Sequence, residues 1–402
     1  MKILVMKFGG TSVANIDRIK TIASIIKKET KNYKIVVVLS AMAGVTNKLQ
    51  NFIDEIGINN SSDADLVITS GEHVSVGLLS MTLNKMKVQS IPMLGWQIPI
   101  ITDCSYGKAK ILNIEKKIIL NHLNNVDVIV LAGFQGISVE NKISSLGRGG
   151  SDTTAVAIAS SLNAIRCDIY TDVEGVYSTD PNIDPSAKKI DKIAYEEMLE
   201  MASMGAKVLQ TRSVELAMKN NLQLQVLSSI ISSSGTMIVN EEDIIEKETV
   251  SGVSYSNNEA KITISGIPDV PGIAAKIFGI LSDNNISVDM IVQNISQDGI
   301  KANLTFTVQN NDSNLAINLI KKNKTSIKYG SLITNSNVAK ISVIGVGMKS
   351  QSGVAKKMFE TLAENKINIL AISTSEIKIS VLINKKHTFD AVKSLHKTYK
   401  LG

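Results

Sequence analysis

Short apolar runs alternate with longer stretches of helical period along the first half of the chain. Ile3–Lys7, Ile35–Leu39, Val88–Ile91, Val128–Ala132 and Cys167–Thr171 are strand-length and rich in β-branched residues. Around Ile16–Lys28, Leu66–Asn84, Ala109–Leu123 and Thr153–Leu162 the apolar positions recur instead at helical spacing. Strands separated by helices predict βαβ units, hence a mostly parallel sheet with helices on both faces. Two consecutive helices, Tyr195–Met204 and Ala206–Lys219, follow, and Leu222–Leu227 returns to strand.

The pattern changes near residues 240–252, where Glu241-Glu242-Asp243 and Glu246-Lys247-Glu248 make a polar connector. Beyond it the chain repeats itself. The run from Ile264 through Pro268-Asp-Val-Pro-Gly272 leads into a helix through Phe278 and Leu281, then to Asn285-Ile-Ser-Val. The run from Val343 to Gly353 leads into a helix through Phe359 and Leu362, then to Asn365-Lys-Ile-Asn-Ile. A further strand closes each unit, at Ala302–Val308 and Lys378–Leu382. Repetition of this length marks a tandem of small α+β modules. The predicted division is a first domain over 1–240, a connector over 241–260, and modules over 261–335 and 336–402.

Composition narrows the class. Hydrophobic residues make up 44% and charged residues 20% of the chain, which suits a soluble globular protein. No uninterrupted apolar run approaches the ~18 residues of a membrane span, and the start reads as a first strand rather than a secretory signal. Two cysteines, Cys104 and Cys167, offer no disulfide framework, so a reducing cytoplasm is expected. The net charge of +6 is spread over pairs such as Lys27-Lys28, Lys116-Lys117 and Lys321-Lys322. These read as solvated helix faces, without the basic stripe and aromatics that nucleic acid would need. The four histidines, at 73, 122, 387 and 396, have no zinc-ligand spacing with a cysteine, so no protein-held metal is expected.

The candidate chemistry lies where strands end. Residues 145–154 read Ser-Leu-Gly-Arg-Gly-Gly-Ser-Asp-Thr-Thr and run into an apolar helix. Gly147, Gly149 and Gly150 permit a tight turn, and Ser151 and Asp152 occupy N-cap positions. The N–H groups and dipole of that helix end attract an anion, and Arg148 offers a planar fork to a carboxylate or phosphate. With Asp152 of opposite sign beside it, the loop suits a zwitterion such as an amino acid next to a nucleotide. A plain tight turn would explain the glycines alone. Two further strand ends, Lys7-Phe-Gly9-Gly10-Thr11 and Leu39-Ser40-Ala-Met-Ala-Gly-Val-Thr46, point instead to one shared site along a sheet edge. No Gly-x-x-x-x-Gly-Lys-Ser/Thr loop is present, so phosphate binding here needs a different cradle.

Taken in order, these segments resemble the amino acid kinase superfamily, and the aspartate kinases in particular. The motifs are Lys7-Phe-Gly-Gly-Thr-Ser-Val13, Ser40-Ala-Met42, Thr69-Ser-Gly-Glu72, Ala132-Gly-Phe-Gln-Gly136 and Leu146-Gly-Arg-Gly-Gly-Ser-Asp-Thr-Thr-Ala155. Thr171-Asp-Val-Glu-Gly-Val-Tyr-Ser-Thr-Asp-Pro181 and Gly205-Ala-Lys-Val-Leu209 complete the set. The tail pair is similar to the tandem ACT domains of a feedback-regulated aspartate kinase. The resemblance covers essentially the whole chain. It implies a three-layer αβα amino acid kinase fold with a mostly parallel central sheet, followed by two ferredoxin-like βαββαβ ACT domains. In this family a strand preceding the first module often completes the second, which assigns Val250–Tyr255 that place.

The implied activity is transfer of the ATP γ-phosphoryl group to the side-chain carboxylate of L-aspartate. The product is 4-phospho-L-aspartate, the first step toward lysine, threonine and methionine, with Mg2+ carried on ATP. The resemblance implies that Lys7, with Gly9, Gly10 and Thr11, cradles the transferring phosphoryl group, and that Lys207 is a second neutralising lysine. It implies that Ser40 and Thr46 hydrogen-bond the reacting carboxylate and that Glu72 and Asp152 hold the ammonium. Arg148 would grip the α-carboxylate, while Phe134, Gly149 and Ser151 line the pocket. Thr171, Asp172, Tyr177 and Asp180 would contact the nucleotide. After Asp180-Pro181 the family often places an arginine, where this chain has Asn182. The ACT pair implies an effector site for threonine or lysine, built from Asp269, Gly272, Ala274, Gln293 and Asn294 in the first module. Asn368, Ile369, Ser375 and Glu376 would complete it from the second, with homo-oligomers forming through the ACT domains. The rivals are another superfamily kinase, acting on glutamate, acetylglutamate or a nucleotide, and a catalytically silent amino-acid sensor.

Overall fold

The computed structural model describes the whole chain except residues 205–207, 245–248 and 297–299 and the side chains of residues 349 and 350. It divides into two units, one formed by residues 1–176 and 189–246, the other by residues 177–188 and 247–402.

The first unit runs β1 (Ile3–Phe8), α1 (Ile16–Glu29), β2 (Lys34–Leu39), α2 (Val45–Ile56), α3 (Ser62–Ile68), α4 (Gly71–Lys85), β3 (Ser90–Met93), β4 (Ile100–Thr102) and β5 (Ile111–Ile114). It continues α5 (Lys116–Leu123), β6 (Val128–Ala132), β7 (Gln135–Ser138), β8 (Ile143–Ser145), α6 (Gly150–Ser161), β9 (Arg166–Thr171), β10 (Lys192–Ala194), α7 (Tyr195–Ser203), α8 (Thr211–Lys219), β11 (Leu224–Ser228) and β12 (Thr236–Val239). Among the described residues the main sheet has eight strands in the order β10-β12-β11-β9-β1-β2-β6-β3. The strands from β11 to β3 are parallel, and β12 turns antiparallel to β11.

The central strands are apolar on both faces because both faces are covered, as expected of a parallel sheet. On one face Ile19, Ile22 and Ile26 of α1 and Val76, Leu79 and Leu83 of α4 pack on Met6, Val37 and Val130. Helix α6 lies against β1, β2 and β9 with α8 beside it. Its residues from Gly150 through Ala159 are all buried, so it shows no polar stripe.

Three helical expectations change in the structure, the first being the helix expected over Ala206–Lys219, which begins only at Thr211. The stretch 66–84 is α3 and α4, parted at Thr69 and Ser70, and Ser61 caps α3 by accepting from Ala64 N. The stretch 109–123 is not one helix. Ile111-Leu-Asn-Ile114 is strand β5, and the helix starts only at Lys116. β5 belongs to a small sheet, β5-β4-β7-β8, which delivers the chain to the glycine-rich turn.

The second unit continues β13 (Gly252–Pro268), α9 (Ile273–Ser282), β14 (Val288–Ile295), β15 (Lys301–Gln309), α10 (Asn310–Lys322), α11 (Lys324–Ile327), β16 (Ser331–Ile344), α12 (Val354–Glu364), β17 (Ile369–Thr374), β18 (Lys378–Asn384) and α13 (Thr388–Thr398). Its sheet runs β14-β15-β13-β16-β18-β17. The two modules share long strands. Glu259–Pro268 of β13 pairs with β15, whereas Gly252–Ser256 pairs with Lys340–Ile344 of β16. The strand preceding the first module therefore completes the second, and Ser331–Asn335 of β16 completes the first in return. Each module has its own core, around Phe306 and Ile277 in one and around Val343 and Met358 in the other. Helices α9 and α12 both start behind a glycine in the left-handed region, Gly272 at φ 90° and Gly353 at φ 96°. The repeat read in the sequence is thus a repeat of turn geometry as well.

Residues 177–188 are bound into this second unit. Ser178 Oγ lies within hydrogen-bonding distance of both Leu401 O, at 3.0 Å, and His396 Nε2, at 2.9 Å. The other ring nitrogen of His396 lies 3.1 Å from Asp184. Burial lowers the pKa of His396 more than Asp184 raises it.

Candidate active site

The parallel strands β6, β2, β1 and β9 are neighbours, and their C-terminal ends carry Phe134, Ser40, Lys7 and Thr171 to one cleft of about 330 Å³. That is where an open α/β sheet normally binds ligands. Thr46 of α2, Glu72 of α4, and Arg148, Gly149, Ser151 and Asp152 of the turn and α6 line the same cleft, as does Gly9.

Lys7 Nζ lies 2.5 Å from Asp152 Oδ1, and both side chains are only about a tenth exposed, at 12% and 10%. Asp152 stands in the first turn of α6, where the helix dipole favours its charge. The resemblance had given Asp152 to the substrate ammonium. In the structure both carboxylates line the cleft, Asp152 paired with Lys7 and Glu72 without a cationic partner among the described residues. Glu72 is 2% exposed. Its Oε1 accepts from Ala41 N at 3.1 Å, and its Oε2 is buried with no hydrogen-bond partner among the described residues. Burial pushes its pKa up to about 7. An unpartnered oxygen on such a group is costly and suits a cationic ligand. Arg148 is exposed at the rim, where its fork can meet an incoming carboxylate.

The walls are fixed from behind. Ser75 Oγ of α4 donates to Ser40 O at 2.8 Å, and Ser40 N donates to Phe8 O at 3.2 Å. Phe134 is held at φ 67°, a conformation unusual for a side-chain-bearing residue. Its N–H donates to Thr154 Oγ1 at 3.1 Å, and its carbonyl accepts from Leu146 N at 2.9 Å. Gly149 sits at φ 71°, and a Cβ there would lie 2.0 Å from Gln210 Cγ.

Gly10 and Thr11 form the turn after β1 but do not line the cleft. Thr171 does, while Asp172 lies beside it and accepts from Thr171 Oγ1 at 3.1 Å. Tyr177 and Asp180 belong to the second unit. Asp180 there accepts from both the backbone and the side chain of Asn182, at 2.9 and 3.0 Å. Lys207 lies outside the described residues. Ile169, Tyr170, Val208 and Gln210 also line the cleft and were not singled out in the sequence. Tyr170 stacks on Phe8 at 4.5 Å and had a readable signal, its place before Thr171 at a strand end; Gln210 had none.

The expected effector residues all fall in the second unit. Gln293 Nε2 on β14 donates to Asp269 Oδ1 at 3.5 Å, near Gly272 at the start of α9 and Ala274 within it. Asn294 follows on β14, an edge strand that lies against β17. Asn368 and Ile369 open β17, and Ser375 and Glu376 form its turn to β18, where Ser375 N donates to Lys378 O at 2.8 Å.

Comparison with known proteins agrees with this architecture. Residues 2–228 match the amino acid kinase family model, and residues 262–323 and 341–399 match an ACT domain model. The aspartate kinase of Pseudomonas fluorescens is 46% identical over a 406-residue alignment covering 100% of this chain and 98% of the relative. The aspartokinase of Helicobacter pylori is 45% identical over 408 aligned positions, covering 99% of each. The crystal structure of Escherichia coli aspartokinase III with aspartate and ADP, in the R-state, matches with a TM-score of 0.83 at 27% identity over 99% of both chains. The same enzyme with lysine and aspartate, in the T-state, matches with a TM-score of 0.78 at 27% identity over 99% of this chain and 100% of that one. With both parts of the chain matched in order and near-complete coverage of its relatives, this protein belongs to the aspartokinases of the amino acid kinase family, those with C-terminal ACT domains.

Proposed function

We propose that the chain transfers the γ-phosphoryl group of MgATP to the side-chain carboxylate of L-aspartate, releasing ADP and forming 4-phospho-L-aspartate. The observation that carries this reading is the disposition of charge in the cleft: a paired Lys7 and Asp152 flanked by buried Glu72 and by Arg148. Glu72 takes the α-ammonium and Arg148 the α-carboxylate, which leaves the side-chain carboxylate toward Lys7. Ser40 and Thr46 hydrogen-bond that carboxylate, and Phe134, Gly149 and Ser151 close the pocket around it. A carboxylate with an ordinary pKa of ~3.9 is already ionised at neutral pH, so the nucleophile needs no general base. One carboxylate oxygen bonds to the γ-phosphorus as the bond to the β–γ bridging oxygen breaks, and ADP leaves with that electron pair. The difficulty is bringing an anion to a polyanion, so the chain's contribution is positioning and positive charge. Asp152 aims the Lys7 ammonium, and Lys7 neutralises the phosphoryl group in flight, with Gly9, Gly10 and Thr11 as the backbone cradle. Mg2+ arrives as part of the substrate, held largely by phosphate oxygens and water. Thr171, Asp172, Tyr177, Asp180 and Lys207 are assigned to the nucleotide.

In the same reading the enzyme is cytoplasmic, opens the route to lysine, threonine and methionine, and assembles as a homo-oligomer through its ACT modules. The residues around Gly272 and Gln293, with those of β17, bind threonine, lysine or both and inhibit. A coupled ADP-release assay with aspartate, glutamate, acetylglutamate and UMP tests the substrate assignment. Turnover with aspartate alone is expected. Turnover with another acceptor moves the chain to a neighbouring specificity, and turnover with none makes it a silent sensor.

A further inference from the structure

A buried carboxylate outside the cleft ties α3, which leads into the helix of Glu72, to the end of β8, which leads into the turn of Arg148. Asp65 on α3 is 2% exposed and lines no part of the cleft. Gly107 N donates to both of its oxygens at 3.0 Å. Ser145 N donates to Oδ2 and Ser145 Oγ to Oδ1, each at 2.7 Å. Every one of these partners is a neutral donor. Burial raises the pKa of Asp65, and these hydrogen bonds pull it back. A buried carboxylate without a cation is costly to keep, so its geometry is the feature to explain.

The geometry joins two segments distant in sequence. Asp65 lies on the helix that leads through Thr69 and Ser70 into α4 and Glu72. Ser145 ends β8, and the turn bearing Arg148 follows it directly. The exit from β8 is held on its other side as well. Arg212 donates through Nη1 to Leu146 O and through Nη2 to Ala109 O, both at 2.9 Å, and Ala109 N donates to Ser145 O at 2.9 Å.

We propose that Asp65 is a positioning residue: by fastening Ser145 to α3 it sets the span between Glu72 and Arg148, and so the fit of the cleft to an α-amino acid. The proposal rests on the assignment of those two residues to the substrate ammonium and α-carboxylate. Among the described residues Asp65 and Ser145 make no hydrogen bond to Lys7, Gly9 or Thr171 on the nucleotide side of the cleft, so the larger effect falls on the amino acid. Asp65→Asn turns one acceptor into a donor facing N–H groups, and Ser145→Ala removes a single hydroxyl donor.

The test measures KM for aspartate and for MgATP in wild type, Asp65→Asn and Ser145→Ala, with the rise in melting temperature that each ligand gives. In Asp65→Asn the KM for aspartate is expected to rise at least tenfold with KM for MgATP within twofold of wild type. Stabilisation by aspartate should be lost while stabilisation by MgATP is kept. Ser145→Ala should show the same split at about threefold. A merely structural Asp65 would lower the melting temperature without splitting the two KM values, and that result overturns the proposal. If Asp65→Asn does not fold, Ser145→Ala decides, and an unchanged aspartate KM there overturns the clamp. If aspartate fails to stabilise even the wild type, the substrate assignment itself fails, which is a different outcome from an intact response in the variants.

Discussion

Lys7 and Glu72 meet the same cleft with opposite problems. Lys7 already has a partner in Asp152, so its charge is aimed before any ligand arrives. Lys7→Ala is expected to lower kcat by roughly 2.7–4 kcal/mol of transition-state stabilisation, the scale of losing one oxyanion-hole donor. Stopped assays on the folded variant check this; a normal kcat with only a raised KM for ATP would assign Lys7 to ground-state binding. Glu72 lacks a partner for Oε2 and has its pKa raised to about 7. Only its ionised form attracts an ammonium, so kcat/KM for aspartate should fall toward tenfold per unit as pH drops below about 7. The linkage to stability runs the other way. The folded state holds this proton more tightly than the unfolded chain, so the ligand-free enzyme loses stability as pH rises from 4.5 to about 7. By that shift the loss is about 3 kcal/mol. Glu72→Gln should flatten both profiles, and an unchanged pH dependence in that variant would assign the titration to another group.

At the scale of elements, the turn before α6 is set by backbone conformation. Gly149→Ala puts a Cβ at φ 71° and within 2.0 Å of Gln210 Cγ. Aspartate KM should rise by about tenfold, and Gln210→Ala should rescue only part of it, because Gln210 Cβ still stands 2.7 Å from the added Cβ and the left-handed strain of about 1–2 kcal/mol remains. Full rescue would mean that crowding alone fixes the turn. The turn itself was legible in the sequence, as were β2 and β6, because a buried parallel strand is a run of Val and Ile, while β1 and β9 show as short, largely apolar or aromatic runs of strand length. The small sheet was not. Ile111-Leu-Asn-Ile114 and Gln135-Gly-Ile-Ser138 are too short and mixed to show a period, and the first merged with the helix that starts at Lys116. The break between α3 and α4 was hidden for a similar reason, since Thr69 and Ser70 interrupt the apolar pattern only briefly. Asp65 was out of reach altogether: its meaning lies in Ser145 and Gly107, which no local pattern connects to it.

At the scale of the molecule, the repeat in the tail was readable because it recurs as sequence, glycine turn and helix together. The strand exchange between modules was available only through the family resemblance, since β13 and β16 read locally as single strands. The binding of residues 177–188 into the second unit was not visible at all; it depends on His396 and Leu401 at the far end of the chain. Regulation belongs to this scale. Gln293→Ala removes the donor to Asp269 on β14 without touching the kinase cleft. Basal activity should persist while inhibition by threonine or lysine shifts to higher concentration, by roughly 2- to 10-fold, the scale of one lost hydrogen bond. Titration of both proteins with each amino acid, alone and together, checks this, and identical curves would remove Gln293 from the effector site. The most direct test of the whole account is to trap the product. With MgATP, L-aspartate and hydroxylamine, the acyl phosphate is captured as aspartyl β-hydroxamate and identified by mass spectrometry. The account predicts hydroxamate in one-to-one ratio with ADP and none without aspartate; ADP release without hydroxamate, or hydroxamate formed instead from glutamate, would contradict it.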